Sequence, residues 1–326
     1  MTQNCKIVFM GTPGFAAQSL EALCREGFEI AAVVTAPDKP TGRGLKVTES
    51  EVKKMALLEG IRVLQPDSLK EPLFVKELEK IKADIFVVVA FRMLPEVVWS
   101  IPRLGTFNLH ASLLPDYRGA APINWAIING EQKTGVTTFL IDHNIDTGKI
   151  LFSQEASIDP EDNAGSLHDK LMTTGASLVV KTVYSLLSGD ISPVDQNLIA
   201  INKKDLNAAP KLNRDLCKID WDKEALTIHN LIRGLSPYPA AFSTMTNGQK
   251  SFMVKIFGSQ ITPCKCDLMP GQLETDGKNY LRVGTSKGSL LINSLQAAGK
   301  KRLGIKEFLA GMRDVGTYCF TQQEPA

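Results

Sequence analysis

Two side chains suited to acyl transfer lie only two residues apart in the sequence. Asn108 and His110 end an apolar run, and in an extended backbone such neighbours point to the same face. An amide can stabilise a developing oxyanion while an imidazole handles a proton. A lone histidine is more often structural. Here the end of a predicted parallel strand and the Gly/Pro-rich loop that follows it favour a catalytic site.

A second polar group follows another apolar run, at residues 141–148. It contains Asp142 and Asp146, with His143 between them. Such aspartates often only close a turn by bonding their own backbone. Either one could instead orient an imidazole and accept a proton from an attacking amine. The spacing does not choose between them.

Two further loops could hold anions. Residues 11–15 join a strand to a helix but lack the G-x-G-x-x-G pattern, so a tight structural turn is the favoured interpretation. Residues 35–46 carry Lys39, Arg43 and Lys46 among glycines and prolines. Such cations could contact phosphates and base edges, although a solvated loop would have the same composition.

A parallel sheet is predicted to position these residues. Short β-branched runs alternate with helical spacing in the first half, and this pattern indicates an α/β fold with right-handed crossovers. A long helix is predicted over residues 167–187. The predicted strands lie at residues 5–10, 29–35, 61–65, 84–90, 105–109, 136–141 and 150–152.

The pattern changes after residue 190. Residues 191–207 are mixed and polar without periodicity, which predicts a linker. Residues 208–326 then show a helix at 225–235 and short strands with tight turns, which predicts a small β-barrel. The domains are thus expected at 1–190 and 208–326. The second has 16 Lys or Arg against 10 Asp or Glu, which suits a polyanion, although a solvated surface is the commoner explanation.

Composition excludes several classes of protein. With 44% hydrophobic and 22% charged residues among 326, the chain is neither disordered nor fibrous. It has no apolar run of the roughly 18 residues that a membrane span needs and no signal-peptide pattern, so a cytoplasmic protein is expected. No cysteine pair has the C-x-x-C spacing of a zinc or redox site, so no metal is expected.

Together these motifs resemble the folate-dependent formyltransferase family. The resemblance rests on Asn108-x-His110, on Asp146-Thr147-Gly148 and on the intervening segment Ser112-Leu113-Leu114-Pro115-x-Tyr117-Arg118-Gly119-Ala120-Ala121-Pro122. A narrower similarity, to the members that formylate methionyl initiator tRNA, rests on the loop at residues 37–44 and on Ile219-Asp220-Trp221 and Leu295-Gln296-x-x-Gly299-Lys300-Lys301. The match covers nearly the whole chain.

The resemblance implies a Rossmann-like formyltransferase domain, a linker and an OB-like barrel. It implies 10-formyltetrahydrofolate as formyl donor and initiator methionyl-tRNA as acceptor, with Asn108, His110 and Asp146 as the catalytic residues. By resemblance, the residues expected to line the folate pocket are Ser112, Leu113, Leu114, Pro115, Phe91, Arg92 and Met93. The expected tRNA contacts are Lys39, Arg43, Lys46, Lys300 and Lys301.

Three other functions share part of this pattern. A formyltransferase of purine precursors would normally end near the linker, so the basic C-terminal part argues against it. A formyltransferase of amino sugars is harder to exclude by architecture. A non-catalytic RNA-binding relative would have lost the Asn, His and Asp set, which this chain retains. Neither a membrane nor an obligate protein partner is expected.

Overall fold

The computed structural model describes residues 5–41, 46–201, 205–262, 267–312 and 314–321, with only the backbone described at 40, 41, 46 and 47. These residues form two compact units. Unit 1 comprises Met1–Gly119, Lys133–Ser157 and His168–Ala209, and unit 2 comprises Ala120–Gln132, Ile158–Leu167 and Pro210–Ala326. The described part of residues 191–207, the predicted linker, therefore belongs to unit 1.

The described residues contain eighteen strands and nine α-helices. The strands are β1 (Lys6–Gly11), β2 (Glu29–Val34), β3 (Lys39–Thr41), β4 (Lys46–Thr48), β5 (Val63–Leu64), β6 (Ile85–Val89), β7 (Thr106–His110), β8 (Arg118–Gly119), β9 (Lys133–Leu140), β10 (Ile150–Ser157), β11 (Ala208–Ala209), β12 (Ala241–Thr246), β13 (Ser251–Thr262), β14 (Leu273–Thr275), β15 (Leu281–Gly284), β16 (Ser289–Ala297), β17 (Leu303–Gly304) and β18 (Cys319–Thr321). The helices are α1 (Gly14–Arg25), α2 (Glu51–Leu58), α3 (Pro72–Ile81), α4 (Glu96–Trp99), α5 (Pro122–Ile128), α6 (Ala164–Ser188), α7 (Gln196–Ala200), α8 (Ala225–Leu235) and α9 (Ile305–Gly311).

Unit 1 is built on a seven-stranded sheet in the order β10-β9-β7-β6-β1-β2-β5. Strands β5, β2, β1, β6 and β7 are parallel, and β9 and β10 join antiparallel at one edge. The mostly parallel α/β fold expected from the sequence is confirmed. The chain runs outward from β1 to β5 and returns to β6 on the other side of β1, so the carboxyl ends of β1 and β6 form the switch point at which such sheets bind ligands.

Burial on both faces of this sheet explains its continuous apolar runs. Val8, Met10 and Val88 pack on one face in a cluster that includes residues of α3. The alternate residues Ile7 and Phe9 are fully buried as well. A strand covered on both sides needs apolar side chains at every position, and the sequence therefore shows runs here instead of alternation.

Unit 2 contains an antiparallel, nearly closed β-barrel, consistent with the expected OB-like fold. The strand order is β14-β15-β16-β13-β12-β18, with β17 paired to β16. The predicted helix over residues 225–235 is confirmed as α8, whose Ile228 and Ile232 enter the barrel core. Trp221 stacks on Phe320 with ring centroids 5.1 Å apart. Among the described helices, none has the length and hydropathy that a membrane span requires.

Candidate active site

Strand β7 carries Asn108 and His110 to the carboxyl edge of the unit 1 sheet. It lies between β6 and β9, with Asn108 opposite Val88 and Phe139, and His110 opposite Thr137. The strand is extended throughout, so the two side chains leave the same face. The half-buried amide of Asn108 has no hydrogen-bond partner among the described side chains and backbone groups.

The imidazole of His110 lies between a carbonyl and a carboxylate. Its Nε2 lies 2.8 Å from the carbonyl oxygen of Tyr117, which can only accept, so Nε2 carries hydrogen. Nδ1 lies 3.7 Å from Oδ2 of Asp146, and the two side chains are only 7% and 14% exposed. A second proton, on Nδ1, would make an imidazolium stabilised by Asp146, and the low exposure strengthens that attraction.

Two contacts from distant parts of the chain hold Asp146. The backbone N–H of Gly119 donates to Oδ2 at 3.0 Å. Gln196, which is almost fully buried, donates to the Asp146 carbonyl oxygen at 3.0 Å. Asp146 itself has a φ of 56°, in the left-handed region that Asp and Asn tolerate better than most residues. The other carboxylate oxygen, Oδ1, has no partner among the described groups.

Asp142, in the same turn, makes hydrogen bonds only within that turn among the described residues. Its Oδ1 accepts hydrogen bonds from the Asn144 backbone N–H at 3.0 Å and from the Thr147 hydroxyl at 2.8 Å. The side chain of His143 is 69% exposed and lies near Glu96, away from His110. The structure therefore brings Asp146 to the imidazole, whereas Asp142 closes the turn.

The loop after β7 is fixed by hydrogen bonds of Ser112. The fully buried Ser112 hydroxyl donates to the Asp116 carbonyl at 2.6 Å, and the Thr137 hydroxyl donates to the Ser112 carbonyl at 2.7 Å. Leu114 and Pro115 are buried and Leu113 is half-buried. Within this predicted folate-binding group, the Ser112 side chain thus shapes the loop instead of facing solvent.

The other predicted folate-pocket residues follow the neighbouring strand β6, at the carboxyl edge of the sheet where His110 lies. Phe91 is half-buried and packs on the sheet cluster, whereas Met93 is 78% exposed. Arg92 donates to the carbonyl oxygens of Pro66 at 2.8 Å and Asp67 at 3.0 Å. Arg92 therefore joins two loops at this edge.

The predicted tRNA contacts fall into two groups. In unit 1 Lys39 is exposed, but Arg43 and the side chain of Lys46 lie outside the described residues. Just before Lys39, the ion pair with Lys53 holds the pKa of Asp38 below its usual value. In unit 2 the exposed residues Lys300 and Lys301 lie between β16 and β17.

A polar cavity of about 300 Å³ opens beside the Asp146 turn. No group of three or more His, Cys, Asp or Glu side chains able to bind a metal occurs within the described ranges. The cavity is lined by Arg118, Asp142, Asn144, Thr147, Lys149, Asp195 and Asn197.

No role for Gln196 is predicted from the sequence, because this residue lies in an aperiodic polar stretch.

Comparison with known proteins gives consistent matches over both units. The formyl transferase family matches residues 5–183 and the formyl transferase C-terminal domain matches residues 211–313. A methionyl-tRNA formyltransferase of Bacteroides fragilis is 49% identical over 310 residues, which are 95% of this chain and 95% of that protein. One from Azobacteroides pseudotrichonymphae is 50% identical over 94% of this chain and 96% of its own length.

A solved structure shows the same fold at low sequence identity. It is an N-formyltransferase from Helicobacter canadensis in complex with folinic acid and dTDP-3-aminofucose. The TM-score is 0.66 at 22% identity, over 90% of this chain and 100% of that one. At this identity the likeness concerns the fold alone.

Proposed function

The chain belongs to the methionyl-tRNA formyltransferase family, and on this premise we propose that Asn108, His110 and Asp146 carry out its reaction. The formyl group passes from 10-formyltetrahydrofolate to the free amino group of methionyl initiator tRNA. A C–N bond to the amine forms, the bond to N10 of the folate breaks, and one proton moves from the amine to N10.

Asn108 and His110 would stabilise the negative charge that develops on the formyl oxygen. The unpaired Asn108 amide can donate to that oxygen, and Nδ1 of an imidazolium at His110 can donate a second hydrogen bond. Tyr117 fixes the other ring nitrogen as a donor, so the ring cannot present the wrong tautomer. Donors set in place before the reaction lower the barrier without reorganisation, and removing one typically costs about 10² to 10³ in rate.

Asp146 would stabilise the imidazolium and accept the proton of the attacking amine. Its Oδ2 is bonded to Gly119 and faces His110, while Oδ1 remains available. The gap of 3.7 Å between Nδ1 and Oδ2 exceeds a hydrogen bond, so Nδ1 is not committed to the carboxylate. This arrangement leaves both groups able to address the reacting atoms.

The ligand assignments follow from the same premise. We place the folate at the sheet edge between Phe91, Arg92, Met93 and the loop formed by Ser112, Leu113, Leu114 and Pro115. Lys39, Arg43 and Lys46 would contact the acceptor end of the tRNA, and Lys300 and Lys301 would attract its phosphates.

We assign the reaction to the cytoplasm, where tRNA is used. The domain boundaries at 190 and 208 also remain proposals.

The observation that carries the proposal is that the buried His110, on the same strand as Asn108, faces the Asp146 carboxylate at 3.7 Å. The test is formylation by the purified wild-type protein, with initiator and elongator methionyl-tRNA and a dTDP-amino sugar as acceptors. We expect efficient transfer to the initiator tRNA only. Transfer to the sugar, or none to tRNA, would contradict the assigned acceptor.

The matched variant is Asn108→Ala, which removes one donor from the reacting centre. We expect its single-turnover rate to fall by about 10² to 10³ with an unchanged melting temperature. A near-normal rate would show that the Asn108 amide does not stabilise the transition state.

A further inference from the structure

Gln196 lies at the centre of a hydrogen-bond network that joins three separate segments. Its Nε2 donates to the carbonyl oxygens of Asp146 at 3.0 Å and of Gly148 at 2.7 Å. Its Oε1 accepts from Arg118, through Nε at 3.1 Å and Nη2 at 2.6 Å. The side chain is 1% exposed and uses both amide hydrogens and the oxygen. A buried amide so fully bonded fixes its surroundings.

The position of Gln196 is itself fixed by its helix. Gln196 is the first residue of α7, and the Asp195 side chain caps that helix by accepting from the Asn197 N–H at 2.8 Å. Before the helix, Val194 and Ile150 exchange two backbone hydrogen bonds of 2.8 Å each. At its other end, Ile199 packs on a buried apolar cluster that includes Leu114. The amide of Gln196 is therefore held on a rigid support.

We propose that Gln196 is a positioning residue for the reaction, acting through Asp146. The inference rests on the proposed function, because it requires that Asp146 acts on His110. Asp146 has a left-handed backbone conformation, which costs energy unless the surroundings enforce it. The hydrogen bonds from Gln196 to the carbonyls of Asp146 and Gly148 enforce it, while the Gly119 N–H directs the carboxylate toward Nδ1.

The alternative is that Gln196 serves only to hold the Arg118 guanidinium. Gln196→Glu separates the two roles. A glutamate would keep an oxygen facing Arg118 and add charge attraction. It would also place an anionic oxygen against the carbonyl oxygens of Asp146 and Gly148, which have no hydrogen to offer. The repulsion between these oxygens would move the turn that carries Asp146 away from the side chain at position 196.

The experiment measures kcat and KM for folate and tRNA in Gln196→Glu and in Gln196→Met, which has a similar size without the hydrogen bonds. We expect kcat to fall about 10- to 100-fold in both, with KM little changed, because a shift of about 1 Å at a reacting group costs this much. The control is Gln154→Leu, an exposed glutamine of the same unit, and it should match wild type. If the Glu variant has wild-type kcat, the positioning role is wrong.

A double-mutant cycle with Asp146→Asn tests the route of the effect. If Gln196 acts through Asp146, adding Gln196→Glu to Asp146→Asn should lower kcat by less than about twofold, since coupled residues are not additive. A fully additive loss would overturn the inference. The two proposals fail differently. Full kcat in Asp146→Asn would refute the proposed function, whereas loss in Asp146→Asn with none in Gln196→Glu would refute only the role of Gln196.

Discussion

Asp142 and Asp146 lie four residues apart in one turn, and the fold separates their roles by contacts with distant segments. Asp142 is bonded to its own turn, whereas Asp146 is bonded to Gly119 and Gln196 and faces His110. The sequence predicted that Asn108 and His110 share one face of a strand, because the alternation of side chains along a strand is a local rule. Spacing alone could not choose between the two aspartates, because their contacts depend on long-range hydrogen bonds, and only the family resemblance pointed to Asp146.

This difference gives a prediction for matched substitutions. Asp146→Asn should lower the single-turnover rate by about 10² or more, because the charge facing the imidazole disappears while the amide still fits the left-handed backbone. Asp142→Asn should keep at least about a third of the rate, because an amide oxygen can still accept from Asn144 and Thr147. Quench-flow measurement with formylated folate and initiator tRNA checks both. The opposite ranking would mean that Asp142 is the catalytic carboxylate.

At the scale of elements, apolar runs identified the buried strands well, whereas the contacts made by the predicted linker left no pattern in the sequence. Strands β1, β2 and β6 lie within one or two residues of their predicted ends because they are buried on both faces. Residues 191–207 lack periodicity, and their described part is held by the side chain of Gln196, by backbone bridges and by packing of Ile199. No apolar pattern could have indicated those contacts.

The turn between β9 and β10 depends on a close backbone approach at Gly148. A Cβ there would lie 1.7 Å from the Leu140 carbonyl oxygen, so Gly148→Ala must displace the backbone beside Asp146. We expect a loss of about 1 to 3 kcal/mol in unfolding free energy, as in other overpacked sites, and a lower kcat. Urea unfolding and steady-state kinetics test this. In the control, Gly311→Ala at the end of α9, no atom lies within 4 Å of the new Cβ and alanine favours a helix, so the unfolding free energy should not fall and kcat should not change.

At the scale of the whole molecule, charge is distributed unevenly along a chain whose net charge is only +2. The excess of Lys and Arg lies in residues 208–326, and the three catalytic residues proposed here lie in unit 1. This charge excess is compatible with a polyanion partner for the second part as well as with a solvated surface, and the family resemblance implies tRNA as the partner. Composition and charge cannot assign a contact to an individual cation, because phosphate attraction depends on position in three dimensions, and the contacts named for single lysines and Arg43 remain proposals.

The last prediction tests that assignment through the salt dependence of tRNA binding. Each lysine that neutralises a phosphate releases counterions and adds about 0.7 to 0.9 to the slope of log K against log salt concentration. Replacing Lys300 and Lys301 by alanine should therefore reduce the slope by about 1.4 to 1.8 and leave folate affinity unchanged. The control replaces Lys76 and Lys80, two exposed lysines on α3 of unit 1, and changes the net charge equally. We expect the slope for this control to stay near that of the wild type, since exposed lysines that do not contact a phosphate are screened by salt and contribute little to tRNA binding. Equal reductions in both variants would mean that Lys300 and Lys301 contribute only net charge and do not contact the tRNA.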